Sequence, residues 1–400
     1  MTAGAKPGLL SRLPLSLREA LVLFAIVRIA LSVYGLAASF LFQLPPPCFH
    51  NGVVDWPTMP VLYSDGLAGR LLGVWERWDA CWYLRIASFG YEAGDPGTAF
   101  FPVLPVLIRV VGFLVGGNLV VAALVVVGVG YVAAMAILHR MVSDDIDGGT
   151  ADRSILYLSI FPTAFFLFAP FTESIFLAFA LGAIYLVRTG RASAAVPLAL
   201  LAGLTRPQGV LLAVPLAWEA IAAFRAGRSS RDVLLRSLAA AAPIVGFVAF
   251  VAFTATFFGL SPSDAVRQHW GYSLALPWDV LGYAVRWILE PPSAGFGNIQ
   301  ALTAFHLVAI GGFCALFVVG LRKIPLTYSL YVAPQLLLLV IGGPATPLAS
   351  ASRYMLAMFP IFVVLGRLGR SRSFNTAWVI GSTLGLGLLF VAILQNAPVG

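Results

Sequence analysis

The sequence predicts an all-α polytopic membrane protein with about 11 transmembrane helices and further juxtamembrane helices on its outer face. Three observations predict it. Of 400 residues, 60% are hydrophobic and only 10% are charged, where a soluble domain carries about 25% charged residues. The mean hydropathy is +0.92. The apolar residues lie in continuous runs, not in the period-two alternation over roughly ten residues that a membrane barrel shows. Too little polar surface remains for a water-facing globule, and three Cys do not make a disulfide-built module. The net charge of +8 would suggest nucleic acid in a soluble chain. Here the basic residues flank apolar runs, and no basic segment interleaves aromatics for base stacking.

The spans follow in order. Lys6, Arg12 and Arg18 precede an apolar stretch from Glu19 to Phe42, too long for a signal-peptide core and read as an uncleaved first span with a cytoplasmic N-terminus. Arg28 lies inside it, either packed between helices or touching a lipid phosphate. Ten further runs follow: Asn118–His139, Ser154–Ala169, Glu173–Val187, Ala192–Leu204, Pro207–Phe224, Ser237–Gly259, Ala301–Leu321, Ile324–Ile341, Tyr354–Gly366 and Phe374–Leu394. Phe100–Val115 is also apolar, but it carries Pro102, Pro105 and Arg109, and as a crossing it would invert everything after it. It is therefore expected to be a juxtamembrane or re-entrant helix on the outer face. With that layout 16 basic residues lie inside, 8 outside and Arg28 within a span, the asymmetry that membrane orientation requires. The expectation is one transmembrane domain over residues 1–400 in the plasma membrane, with a large outer loop at 43–117 and a second at 260–300.

The outer side holds the polar chemistry. The 43–98 segment contains Trp56, Trp75, Trp78 and Trp82 and the acids Asp55, Asp65, Glu76, Asp79, Glu92 and Asp95. Its densest part is Arg77-Trp78-Asp79-Ala80-Cys81-Trp82-Tyr83-Leu84-Arg85. On a helix, Asp79, Tyr83 and Ile86 share a face with Trp82 and Arg85 beside it. That joins a carboxylate, aromatic platforms for sugar rings and a guanidinium for phosphate. The plainer alternative is an interfacial aromatic belt with surface Arg–Asp pairs.

The stretch RWDACWYLRIASFGY, followed by AFFPVLPVLIR, FPTAFFLFAPFTESIFLAFALGAIYL, GLTRPQGVLL and ASRYMLAMFPIF, resembles the PIG-V type mannosyltransferases of the GT-C class, with their bacterial relatives. The blocks are collinear from Arg77 to Phe362. The resemblance implies a GT-C-like fold, a polyprenyl-phosphate mannose donor and inversion at the anomeric carbon. It also implies an acidic residue in the first outer loop followed by aromatics, a position that Asp79 with Trp82-Tyr83 matches. One departure is the distance of Asp79 from the first span, which makes 43–74 look like an insertion.

An acceptor hydroxyl needs one base, and a polyprenyl phosphate leaves as a stable anion, so a single carboxylate with cations on the phosphate suffices. Asp79 is the expected base. The candidate substrate-binding residues are Arg77, Trp78, Trp82, Tyr83, Arg85, Glu92, Glu173, Arg206, Gln208, His269, Arg353 and Tyr354; Glu92 and Asp95, near the same loop, are the alternatives for the base or for orienting the acceptor. Glu173 is either a cavity acid or a helix-start acid capped by Thr172. Arg206 and Arg353 sit at tight outer turns that orientation does not explain. The four His show no metal-ligand spacing and there is no CxxC, so no metal and no cofactor is expected beyond the lipid-linked donor. The expected partners are that donor, a lipid-linked acceptor and membrane lipids. Arg outnumbers Lys 23 to 2, a bias of GC-rich prokaryotic genomes, which favours a bacterial glycolipid acceptor. Cys48 and Cys81 both lie outside, either free or disulfide-bonded. The competing readings are a lipid or sugar transporter or flippase, and a non-catalytic subunit of a glycosyltransferase complex.

Overall fold

The computed structural model describes residues 13–50, 53–54, 63, 66–290, 297–343, 347–397 and 399. Lys6, Arg12, Asp55, Trp56 and Asp65 lie outside them. The described chain is helical: α1 Leu15–Leu41, α2 Gly66–Leu71, α3 Asp79–Phe89, α4 Val103–Leu114, α5 Leu119–Asp145, α6 Gly148–Ser159, α7 Glu173–Arg188, α8 Ala192–Gly203, α9 Ala213–Arg225, α10 Ser230–Phe258, α11 Pro262–Trp270, α12 Pro277–Leu289, α13 Gly297–Gly320, α14 Leu326–Ile341, α15 Ala351–Met355, α16 Phe359–Leu368 and α17 Arg372–Leu394. Two minimal antiparallel ladders complete it, β1 (Phe49–His50) with β2 (Val53–Val54) and β3 (Ser273–Leu274) with β4 (Gly342–Gly343).

Six described helices are long and apolar enough to cross a bilayer: Leu15–Leu41, Leu119–Asp145, Pro207–Arg225, Ser230–Phe258, Ile299–Gly320 and Arg372–Leu394. Among them α1 exposes Ile26, Ile29, Val33 and Phe40, α10 exposes Val245, Val248 and Phe257, and α17 exposes Ile380, Leu384 and Leu388. So much contiguous apolar surface is a lipid-facing wall. The remaining apolar runs form shorter helices, and two of them are broken. α6 stops before Phe161-Pro162, because the residue before a proline is pushed out of the helical region. A short 3-10 turn follows at Ala164–Leu167. Likewise α15 and α16 are separate, divided at Ala357-Met358. Irregular backbone survives inside a membrane protein where other helices cover it, and residues 160–171 are buried apart from the half-buried Pro162.

At one end of the bundle the basic loops meet. Arg188, closing α7, forms a two-pronged ion pair with Asp145 at the end of α5, at 2.7 Å on both prongs. Tyr328 of α14 donates to the same carboxylate at 2.6 Å. Glu219 of α9 faces Arg236 of α10 at 3.8 Å and accepts from Thr327 at 2.5 Å. Arg370 pairs with Asp147 at 2.6 Å. α4 does not disturb this arrangement. Twelve residues at about 1.5 Å each reach only about 18 Å, too short for the ~30 Å core. Its Leu104 and Ile108 pack on the start of α5, and its Val110 and Phe113 are exposed. Arg28 turns inward: it donates to the Phe168 carbonyl at 2.8 Å and lies 4.0 Å from the centre of the Trp75 ring. These contacts pack helices together.

The other end carries the turn from α8 to α9. It is possible only because glycine lets backbones touch. A Cβ on Gly203 would lie 2.1 Å from the Pro243 carbonyl oxygen of α10, and one on Gly209 would lie 2.1 Å from that of Ala202. These two glycines bracket Thr205-Arg206-Pro207-Gln208. Gly209→Ala is expected to destabilise the fold by about 1–3 kcal/mol through overpacking, read as a lower unfolding temperature in detergent. Gly311→Ala, where a Cβ meets nothing within 4 Å, should leave that temperature unchanged.

Candidate active site

α3 begins at Asp79 after a contorted residue. Trp78 holds φ 53° and ψ −128°, a left-handed conformation that a bulky side chain adopts at a cost of about 1–3 kcal/mol. The surroundings enforce it. Arg77, just before, donates to the Pro45 and Pro46 carbonyls at 2.9 and 2.8 Å. Burial pulls its guanidinium down to about 10, against the opposing pull of Glu76, so it stays cationic. The Cys48 amide donates to the Glu76 carbonyl at 3.2 Å, and Cys48 is disulfide-bonded to Cys81. The part of the apparent insertion that precedes residue 49 thus straps the start of α3 from two sides.

Asp79 opens onto a cavity of about 300 Å³. Its walls come from distant parts of the chain: Trp78, Asp79 and Tyr83; Ala99 to Phe101; Thr172; Thr205 to Gln208; Val266, Trp270 and Tyr272; and Ala349, Ser350, Arg353 and Tyr354. A chain of ion pairs runs behind it. Arg353 binds Asp79 Oδ2 through Nη1 and Glu173 Oε1 through Nε at 2.5 Å. Arg206 Nη1 meets the same Glu173 oxygen at 3.1 Å, and its Nε donates to Gln208 at 2.9 Å. Glu173 is 1% exposed, Arg206 4% and Arg353 6%, whereas the Asp79 side chain is 31% exposed. Aromatic rings surround the cations: Phe171 lies 4.7 Å from the Arg353 guanidinium and Tyr354 lies 5.3 Å from that of Arg206. Burial, and after it the Asp79 charge, push the Tyr83 hydroxyl well above its usual range, so it stays protonated.

The polar atoms of this set can take an anion beside a carboxylate. Two guanidiniums face two carboxylates, so the group is neutral before a ligand arrives. Among the described residues Asp79 Oδ1 has no partner, which leaves one lone-pair face of a partly exposed carboxylate to accept a proton.

Seven of the thirteen residues predicted from sequence come together here: Trp78, Asp79, Tyr83, Arg206, Gln208, Arg353 and Tyr354 line the cavity. Glu173 stands behind them as the shared partner of both arginines. It does open α7, yet the Thr172 side chain makes no capping bond. Five lie elsewhere. Arg77 is the strap described above. Arg85 is fully buried and pairs with Asp95 at 2.7 Å and Glu92 at 2.9 Å, away from the cavity. Asp95 in turn accepts from the Gly97 amide, so Arg85, Glu92 and Asp95 brace the loop leading to α4 and none lines the cavity. Trp82 stacks on Phe100 at 5.4 Å between ring centres and supports the wall from behind. His269 is exposed at the end of α11, and its neighbour Trp270 lines the cavity in its place. Tyr272, Ser350 and Thr172 are cavity residues that the sequence reading missed. Tyr272 carried no signal, being packed over Gly342, where a Cβ would lie 2.3 Å from its hydroxyl. Among the described residues no group of three His, Cys, Asp or Glu could hold a metal.

The described helices thus form a bundle with a polar, ion-paired cavity at the end opposite its basic loops. The mannosyltransferase (PIG-V) family matches residues 17–254, more than half of the chain, and the chain belongs to that family. Solved structures of the Archaeoglobus fulgidus oligosaccharyltransferase are similar to it at low identity. The apo form shows 13% identity and a TM-score of 0.45 over 94% of this chain and 56% of that one. The complex with Zn and sulfate shows 12% and 0.43 over 93% and 53%. The complex of that archaeal enzyme, AglB, with an inhibitory peptide and a dolichol-phosphate shows 12% and 0.40 over 92% and 55%. The chain thus spans about half the length of those structures. No curated protein matches it.

Two outcomes follow from this geometry. Arg353→Met leaves Glu173 buried with one cation in place of two and is expected to cost about 3–5 kcal/mol, read as a large drop in unfolding temperature. Denatured, unreduced protein should offer a maleimide only Cys314, the free cysteine, whereas reduced protein should offer all three.

Proposed function

We propose that this chain transfers mannose from polyprenyl-phosphate mannose to a lipid-linked acceptor on the extracytoplasmic face of the plasma membrane, with inversion and with Asp79 as general base. The observation that carries the proposal is the cavity itself, where a partly exposed carboxylate stands beside two buried arginines. The acceptor hydroxyl attacks the anomeric carbon on the face opposite the phosphate. Asp79 takes the hydroxyl proton as the new C–O bond forms. The old bond to phosphate oxygen breaks and its electron pair leaves with the polyprenyl phosphate. Arg206 is placed to receive that anion, and Arg353 fixes the base. One displacement inverts the centre, and no second carboxylate is needed to protonate a leaving group, in contrast to glycoside hydrolysis. Trp78, Trp270 and Tyr272 offer flat apolar faces to sugar rings. The two guanidiniums supply the positive charge that a metal would otherwise bring, so the reaction is expected to run without one.

The proposed orientation is supported by the basic loops at the opposite end, which favour an outward-facing cavity. Transfer from synthetic polyprenyl-phosphate mannose to lipid extract, by purified protein in detergent, tests the proposal. Asp79→Asn should fold as wild type does and lose at least about 100-fold in kcat. Transfer that survives in this variant would remove Asp79 from the role of base. Addition of EDTA should leave the wild-type rate unchanged.

A further inference from the structure

His306 lies in α13, in a stretch that is otherwise apolar, and is 1% exposed. A buried imidazole in a membrane helix is costly unless something repays its lost water. Its Nε2 lies 2.9 Å from the Ser352 hydroxyl. The Ser352 carbonyl is held as well, accepting from the Thr163 hydroxyl at 2.9 Å. Ser352 and Thr163 are both 0% exposed. Residue 352 is therefore gripped at its side chain and its backbone by two elements, the irregular segment after α6 and the middle of α13. The next residue is Arg353.

We propose that His306 is a positioning residue for Arg353, acting through Ser352. The inference rests on the catalytic reading of the cavity. α15 has only five residues, far too few to be stable alone. It follows Leu348 at φ 57° and Ser350 at φ 63°, two non-glycine residues in the left-handed region that favour a different path unless held. The His306–Ser352–Thr163 grip supplies that hold. It sits one residue from the guanidinium that orients Asp79, and a displacement of about 1 Å at a catalytic group can cost about 100-fold in rate.

The test uses the full chain in detergent and two readouts. Amide hydrogen exchange over residues 347–358 reads the geometry directly. His306→Ala should speed exchange there and leave the far half of α16 protected. Ser352→Ala should do the same, and the double variant should add nothing. Should His306→Ala fail to fold, His306→Gln and Thr163→Val carry the measurement, the first retaining an amide for Ser352 and predicted to keep the wild-type pattern. The second readout is kcat for mannosyl transfer. His306→Ala should lower it by about 10- to 100-fold, and His306→Gln should recover most of that loss. In an Arg353→Lys background His306→Ala should cost less than about twofold more, because residues acting as one unit are not additive. Unchanged exchange at 347–358, or a full multiplicative loss in the Arg353→Lys background, would overturn the proposal. If wild type transfers no sugar, the catalytic reading fails, and the exchange comparison still decides whether His306 holds α15.

Discussion

Glu173 takes a full carboxylate out of water at the start of α7, and the site is organised around keeping it neutralised. One of its oxygens is shared by Arg353 and Arg206, each from a different turn of the chain. The desolvation of three such groups is repaid only by close geometry, so the turns that deliver the arginines must be placed to within a fraction of an ångström. The glycine contacts at residues 203 and 209 place one of them. The grip on Ser352 places the other. Asp79, at the open end of the same chain of charges, inherits its position from Arg353.

Strain collects around this network. Trp78, Leu348 and Ser350 all hold positive φ; Trp78 directly precedes Asp79, and Leu348 and Ser350 lie on the approach to Arg353. Such conformations persist where the surroundings over-determine them. At Trp78 the surroundings are the carbonyls of Pro45 and Pro46, the Glu76 carbonyl and the disulfide. The long first loop therefore acts as a strap on the residue before Asp79, which gives a physical role to the part of it before residue 49.

The bundle was legible from hydropathy because lipid demands long apolar runs. The common side of Arg206, Glu173 and Arg353 was legible because the asymmetry of basic residues fixes the parity of the crossings. What hydropathy cannot see is a break in a run that stays apolar throughout. Ser154–Ala169 and Tyr354–Gly366 each read as one span, yet each divides into two elements, and the second break is what creates α15. Arg85 was misread for another reason. Beside Trp82 and Tyr83 it looks like a phosphate ligand, but Gly90 and Gly94, with φ of 87° and 70°, turn the chain back so that Glu92 and Asp95 reach it first. His306 gave no sign at all, since its partner lies 46 residues away in sequence.

The ion pair between Asp79 and Arg353 joins residues 274 positions apart. The chain must be synthesised and threaded into the bilayer through Arg353 before that contact can close. Arg206 reaches Glu173 after only 33 residues, so that pair needs far less of the chain to be in place. The cavity is then completed by residues 349–354, more than 130 positions after Arg206. Until then a nascent chain carries Asp79 without the cation that fixes its position, so the geometry of the cavity depends on a contact made late in synthesis.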